Sequence, residues 1–232
     1  MSKREISIRK AFSAAFPKTI PVLTGFLALG IAYGILMEKN GYGALWSTLM
    51  SAIAFCGSMQ YVAITLLTAV FNPMQAFIMS LLVNARHLFY GLSMLPKYKG
   101  LGKIRGFLIY TLCDETFSIE CSVEPPEGVE RKYFYFFISL LDYLYWVLGS
   151  FLGGVVGNLI KFNTKGLDFA LTALFVVLFL EQWKKKENRI SCIIGVVCTT
   201  IALLVVGATN FVIPAMVLIL FVLTIGRKKL CC

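Results

Sequence analysis

The sequence is poor in charge, in histidine and in long polar stretches. Only 15% of its 232 residues are charged, one is histidine, and 58% are hydrophobic. A mean hydropathy of +0.79 excludes an ordinary soluble domain, which could not hide so many long apolar runs. No gap between those runs has room for a separate soluble domain. The sequence has no CxxC pair, no HExxH and no GxSxG. A metal site, a cofactor or an enzymatic nucleophile–base pair therefore has no support, and a non-enzyme is expected. The seven cysteines are Cys56, Cys113, Cys121, Cys192, Cys198, Cys231 and Cys232. Most lie inside apolar runs, where Cys behaves as a small hydrophobe. Lipidation of Cys231-Cys232 would add little anchoring to a chain with several spans.

What is present is a series of apolar runs, at least five of them long enough for a helix to cross a bilayer. The expected fold is all-α, a polytopic membrane helical bundle. The net charge of +10 is not a nucleic-acid signature, because most of the 22 basic residues cluster beside apolar runs. The clusters are Lys3–Lys18, Lys97–Arg105, Lys161 and Lys165, Lys184–Arg189, and Arg227–Lys229. Such loops mark the cytoplasmic side. Residues 1–18 read as a basic amphipathic lead-in, 19–226 as one transmembrane domain, and 227–232 as a basic tail. The first apolar run has no clear cleavage site and reads as a retained helix. Its Gly30-xxx-Gly34, like Gly149-xxx-Gly153-xxx-Gly157 later, is a close-packing signal.

Met74–Pro96 carries the polar tetrad Asn84-Ala85-Arg86-His87 in the middle of an otherwise lipid-like segment. An arginine at mid-depth costs about 2.5–3.5 kcal/mol on insertion scales, so it needs a polar partner or a wet cavity. Ser80, Asn84, His87 and Gly91 share one helix face. Ala44–Phe71 has Gly57-Ser58 followed by Gln60 in its middle. It is either a broken helix facing a cavity or a plain helix whose Gln60 bonds a neighbour. Gly106–Cys121 reads as one apolar helix with Thr111, Asp114 and Ser118 on a face and Glu115 beside it. Its adjacent acids either neutralise Arg86 and exchange protons, or sit at the wet end of a short helix. The acidic loop Glu120–Lys132 reads as extracytoplasmic. Asp142, on a face with Ser139 and Trp146, is interfacial or faces the bundle.

Six crossings put all the basic clusters on one side. That requires Ala44–Phe71 and Leu167–Gln182, the latter containing Asp168, to enter and leave on the same side as re-entrant or broken segments.

Taken in order, several motifs resemble those of the AzlC family of bacterial branched-chain amino acid permeases, from about Arg9 to Arg227. They are Pro21-xxx-Gly25-xxxx-Gly30-xxx-Gly34, Gly57-Ser58-Met59-Gln60, and Asn84-Ala85-Arg86-His87 running on to Tyr90-Gly91-Leu92-Ser93. Asp114-Glu115-Thr116-Phe117 and the Leu167–Phe175 stretch come next. One departure is Thr172, where the family often has proline; this weakens the case for a break there. The resemblance implies a multi-pass exporter of valine, leucine, isoleucine or similar small apolar amino acids in the bacterial cytoplasmic membrane. It also implies a small companion of the AzlD type. On this reading Arg86, Asn84 and backbone N–H groups at the Gly57-Ser58 break would meet the substrate carboxylate. Asp114 or Glu115 would meet the ammonium, with Gln60 as a polar wall. His87 with the two acids could carry the proton of an antiport cycle. A channel for ions or small solutes would use the same polar midplane. A structural partner of another transporter is a weaker option.

Overall fold

The structure, a computed structural model, describes residues 3–70, 72–159 and 186–207, with isolated positions between 169 and 184 and between 211 and 226. Every regular element among the described residues is helical. The chain divides into two compact units, Met1–Ala170 and Leu171–Cys232. In the first unit the helices are α1 (Lys3–Lys39), α2 (Ala44–Ala54), α3 (Ser58–Thr68), α4 (Pro73–Met94), α5 (Ile104–Tyr110), α6 (Asp114–Ser122) and α7 (Arg131–Leu159). In the second unit a short 3-10 turn, Lys186–Asn188, leads into α8 (Arg189–Val206). Asp168, most of Leu167–Gln182 and the tail 227–232 lie outside the described residues.

Among the described residues, three helical stretches are long and apolar enough to cross a membrane: Glu5–Lys39, Arg131–Leu159 and Arg189–Val206. The basic lead-in and the first apolar run form one continuous helix of 37 residues, with Pro17 and Pro21 inside it. Helix α7 lies alongside α1 and runs parallel to it. Ser7 reaches Glu130, Phe12 meets Phe137 edge to face, Thr19 bonds Tyr145, and Gly34 meets Gly153 and Gly154. The two glycine patterns therefore face each other. A Cβ on Gly30 would lie 3.0 Å from the Cα of Gly149, and one on Gly153 would lie 2.7 Å from the Cα of Ile31. Backbones this close bury their apolar surface against each other without side chains between them, which is how helices associate in lipid.

The pairing defines two ends of the unit, the Ser7 end and the Lys39 end. Helix α2 starts at the Lys39 end, where a Cβ on Gly154 would lie 2.5 Å from Ala44 Cα. It descends along α7 until Tyr143 donates to Ala52 O at 2.9 Å. The chain then breaks: Phe55 has φ 39° and ψ 51°, and Gly57 has φ 32°. A side chain at φ > 0 is strained, so Gly57 is suited to its place and Phe55 is held there by packing. Helix α3 turns back, and Tyr42 donates to Leu67 O at 3.2 Å at the Lys39 end. Of the Ala44–Phe71 segment, the described residues 44–70 thus form a broken hairpin entering and leaving at one end.

Helix α4 starts with Pro73 in its first turn and Asn72 accepting from Met74 N at 3.1 Å and Gln75 N at 3.2 Å. It runs to the Ser7 end, where Lys97 Nζ pairs with Glu124 Oε1 at 2.9 Å. Arg131 Nη2 donates to Lys97 O there, and the Lys97 ammonium holds the Glu124 carboxyl below the usual carboxylate range.

The chain beyond α4 corrects two expectations. Gly106–Cys121 is not one helix: it breaks at Leu112-Cys113 into α5 and α6. Thr111 is therefore separated from the face of Asp114 and Ser118. Helix α5 rises from the Ser7 end, with Phe107 on Phe136 and Tyr143 and Tyr110 on Tyr143. Helix α6 returns, with Thr116 bonded to Asp142, Glu120 to Ser139, and Val123 O accepting from Tyr135. The acidic loop Glu120–Lys132 therefore lies at the same end as Lys97 and the basic lead-in, not opposite them. Acidic side chains carry little topological information, whereas the Lys97 contacts pin the loop directly.

This arrangement has a side-specific consequence. In a cysteine-free background, Lys99→Cys and Glu127→Cys are expected to react with an impermeant maleimide from one side of the membrane, and Asn40→Cys from the other. Opposite sidedness for 99 and 127 would restore a single crossing for 106–121.

Candidate functional site

The two broken hairpins enter from opposite ends, and their tips meet at mid-depth beside α4. The carbonyls freed at the end of α2 are met by the other hairpin: Tyr110 Oη donates to Ala52 O at 2.5 Å and Ile53 O at 2.8 Å. Across the tips lies Arg86. Its Nη2 donates to Ser58 Oγ at 2.5 Å and its Nη1 pairs with Asp114 Oδ2 at 2.5 Å. Ser58 is the first residue of α3 and Asp114 the first of α6. One guanidinium thus joins the amino termini of two half-helices. Helix amino termini carry partial positive charge and attract anions, so Asp114 is well placed as a carboxylate.

The pair is not sealed. The side chains of Arg86 and Asp114 are 29% and 19% exposed. Arg86 Nε, Asp114 Oδ1 and Asn84 Oδ1 are buried and make no hydrogen bond among the described residues. Donors and acceptors thus converge on the tips without satisfying one another. The wall beyond is aromatic, with Tyr90 stacked on Phe117 at 4.4 Å and His87 edge-on to Tyr90 at 5.9 Å.

Of the residues expected at a site, Gly57, Ser58, Asn84, Arg86, His87, Asp114 and Glu115 lie at or next to these tips. His87 Nδ1 contacts Asn84 O at 3.2 Å, within its own helix. Glu115 comes directly after Asp114 in the first turn of α6. Gln60 is elsewhere. It is fully buried, donates from Nε2 to Ser51 Oγ at 2.8 Å, and accepts from Trp146 Nε1 at 2.7 Å. Ser51 Oγ in turn bonds Ser150 Oγ at 2.6 Å. This network ties α2 and α3 to α7 and leaves the Gln60 amide turned away from Arg86.

Three polar residues around the tips and the adjoining helices have places that the sequence did not settle. Tyr110 looked like one more aromatic of an apolar run. Glu120 looked like the first acid of a surface loop, yet it is fully buried, accepting from Tyr98 Oη at 2.5 Å and Ser139 Oγ at 2.9 Å. Asp142 is also fully buried and accepts from Thr116 Oγ1 at 2.8 Å. Its spacing from Ser139 and Trp146 was the signal available, and it faces the bundle.

Two broken hairpins closing on a partly buried arginine, beside helices long and apolar enough to cross a bilayer, define a polytopic helical membrane protein with a polar centre. Residues 21–160 match the family described as AzlC protein. The chain is 50% identical over 230 residues to the branched-chain amino acid transport protein AzlC of Bacillus subtilis, covering 99% of this chain and 90% of that one. It is 41% identical over 224 residues to an uncharacterized membrane protein of Haemophilus influenzae, covering 96% and 92%. The inner membrane protein YgaZ of Escherichia coli is 24% identical over 210 residues, 86% of this chain and 82% of that one. No solved structure matches. The chain belongs to the AzlC family.

Proposed function

We propose that this chain is the large subunit of a secondary transporter that exports branched-chain or similar small apolar amino acids from the bacterial cytoplasm. It works with a small AzlD-type membrane companion and exchanges its substrate for protons. The observation that carries the reading is the Arg86 guanidinium held between Ser58 and Asp114 where the hairpin tips meet. An amino acid zwitterion bears the same two charges as that ion pair. Its carboxylate can take Arg86 and the amino terminus of α3, while its ammonium takes Asp114, so substrate replaces an internal pair by two charge-assisted contacts. Asn84 Oδ1 offers a further acceptor for the ammonium. Tyr90 and Phe117 offer apolar surface to a branched side chain. Glu115 and His87 flank the pair and would exchange the proton. The family relation supports the substrate class, since the Bacillus subtilis relative is named for branched-chain amino acid transport.

The test is efflux of valine, leucine and isoleucine from dipeptide-loaded cells, with and without a co-expressed companion, comparing wild type with Arg86→Ala. Wild type is expected to export with the companion present, and Arg86→Ala to lose about tenfold or more of that rate, as removal of a charge-assisted contact to substrate does. No efflux of any of the three, with both proteins in the membrane, would reject this substrate class. Undiminished efflux by Arg86→Ala would move the site away from the tips.

A further inference from the structure

Helices α6 and α7 share a second pair of acids that the substrate reading does not use. Asp142 and Glu120 are both fully buried. Among the described residues neither carboxyl pairs with a cation: Lys97 Nζ donates to the backbone carbonyl of Glu120 at 2.5 Å and pairs with the side chain of Glu124 instead. Burying a carboxyl without a cation is expensive, and Asn or Gln would serve a purely structural contact as well. One oxygen of Asp142 accepts from Thr116, while Oδ1 is buried without a hydrogen bond among the described residues.

The two acids form successive rungs of one seam. Thr116 and Glu120 are four apart on α6, and Ser139 and Asp142 three apart on α7, so each pair lies on one face of its helix a single turn apart. The helices run antiparallel, with Thr116 bonded to Asp142 and Glu120 to Ser139. The seam starts at mid-depth, where Glu115 precedes Thr116 and Cys113 Sγ lies 3.2 Å from Thr116 Oγ1. It ends at Glu120, which Tyr98 of the segment after α4 joins to the Lys97 and Glu124 cluster at the Ser7 end. An acid thus stands at each turn between the tips and that end.

We propose that Glu120 and Asp142 carry the coupled proton along the α6–α7 seam, between water at the Ser7 end and the site at the hairpin tips. A proton from water adds to the Glu120 carboxylate. It passes one turn along to Asp142 and then to Glu115, each acid returning to its carboxylate as the next O–H bond forms. Release runs the same steps backwards. No redox partner or covalent intermediate is needed. The inference rests on the proton-coupled reading above.

The full chain with its companion, reconstituted in liposomes holding a pH-sensitive dye, decides it. Leucine-driven proton movement and exchange of labelled leucine across equal concentrations are read side by side. Asp142→Asn and Glu120→Gln are each expected to cut proton movement about a hundredfold or more, the lower end of the range for loss of one positioned proton-transfer group, while exchange stays within about twofold of wild type. Asp142→Glu is expected to regain proton movement. A folded Asp142→Asn or Glu120→Gln protein that moves protons like wild type overturns the inference, and either variant suffices. So does parallel loss of exchange and proton movement, which marks a structural role. Wild type exchanging leucine with no proton movement is a separate result: it rejects proton coupling itself, and the relay with it.

Discussion

A Gly153→Val protein is expected to lose the folded state of its first unit under conditions where wild type is stable. A Cβ at 153 would meet Ile31 O in severe overlap and lie 2.7 Å from Ile31 Cα. Both are backbone atoms of α1, so no rotamer change relieves the clash. Ordinary carbon contacts are about 3.5–4.0 Å, so the helices would have to part by about 1 Å. That shift would also loosen Gly34 against Gly154 and pull Ser150 and Trp146 from Ser51 and Gln60. Overpacking costs about 1–3 kcal/mol where side chains can adjust; with none able to, about 3 kcal/mol or more is expected. Read as detergent-solubilised melting, this corresponds to a fall of about 6–12 °C for a chain of this size. Gly25→Ala is the control, because a Cβ there meets nothing within 4 Å. A Gly153→Val protein melting with wild type would mean that α1 and α7 do not pack backbone to backbone.

The second large effect is expected at the ion pair, and it separates stability from transport. Asp114→Ala leaves the Arg86 guanidinium with Ser58 as its remaining partner, and Arg86→Ala leaves the Asp114 carboxylate without its cation. Breaking a fully buried pair costs about 3–5 kcal/mol; with side chains 29% and 19% exposed, water offsets part of this and about 2 kcal/mol per single variant is expected. The double variant removes both charges and is expected to be more stable than the sum of the single losses implies, by about 1–2 kcal/mol. Transport is expected to stay lost in all three, because the substrate needs both charges. Melting and efflux of the four proteins check this. Additive destabilisation would show that the two side chains do not depend on each other. Recovered efflux in the double variant would show that neither charge receives substrate.

Much of this arrangement was legible where its cause is local. Gly57-Ser58 inside an apolar run offered the first break as one of two readings, because glycine and serine weaken a helix and freed carbonyls must be satisfied nearby. The glycines of α1 and α7 marked close packing. Arg86 stood out because a lone charge in lipid needs a partner. The second break did not stand out. Leu112-Cys113 carries no glycine or proline, and α5 and α6 are both apolar enough to be read as one helix. Gln60 was placed with Arg86 by its position near the break, but two residues beyond Ser58 on α3 its side chain lies about 200° round the helix, toward Trp146.

The amino-acid sequence by itself determined that this is a helical membrane protein, that Arg86 inside an apolar segment needs a polar partner, and which glycines let helices touch. Those properties arise from hydropathy, from the penalty on charge in hydrocarbon and from side-chain size, all set by single residues or short spacings. Only the tertiary structure decided that the hairpins enter from opposite ends, that Arg86 joins Ser58 to Asp114, and that Glu120 is buried while Gln60 faces away. Those depend on which segments meet. The direction in which a chain leaves a break is set by packing against distant helices, here α7, and not by the residues of the break alone.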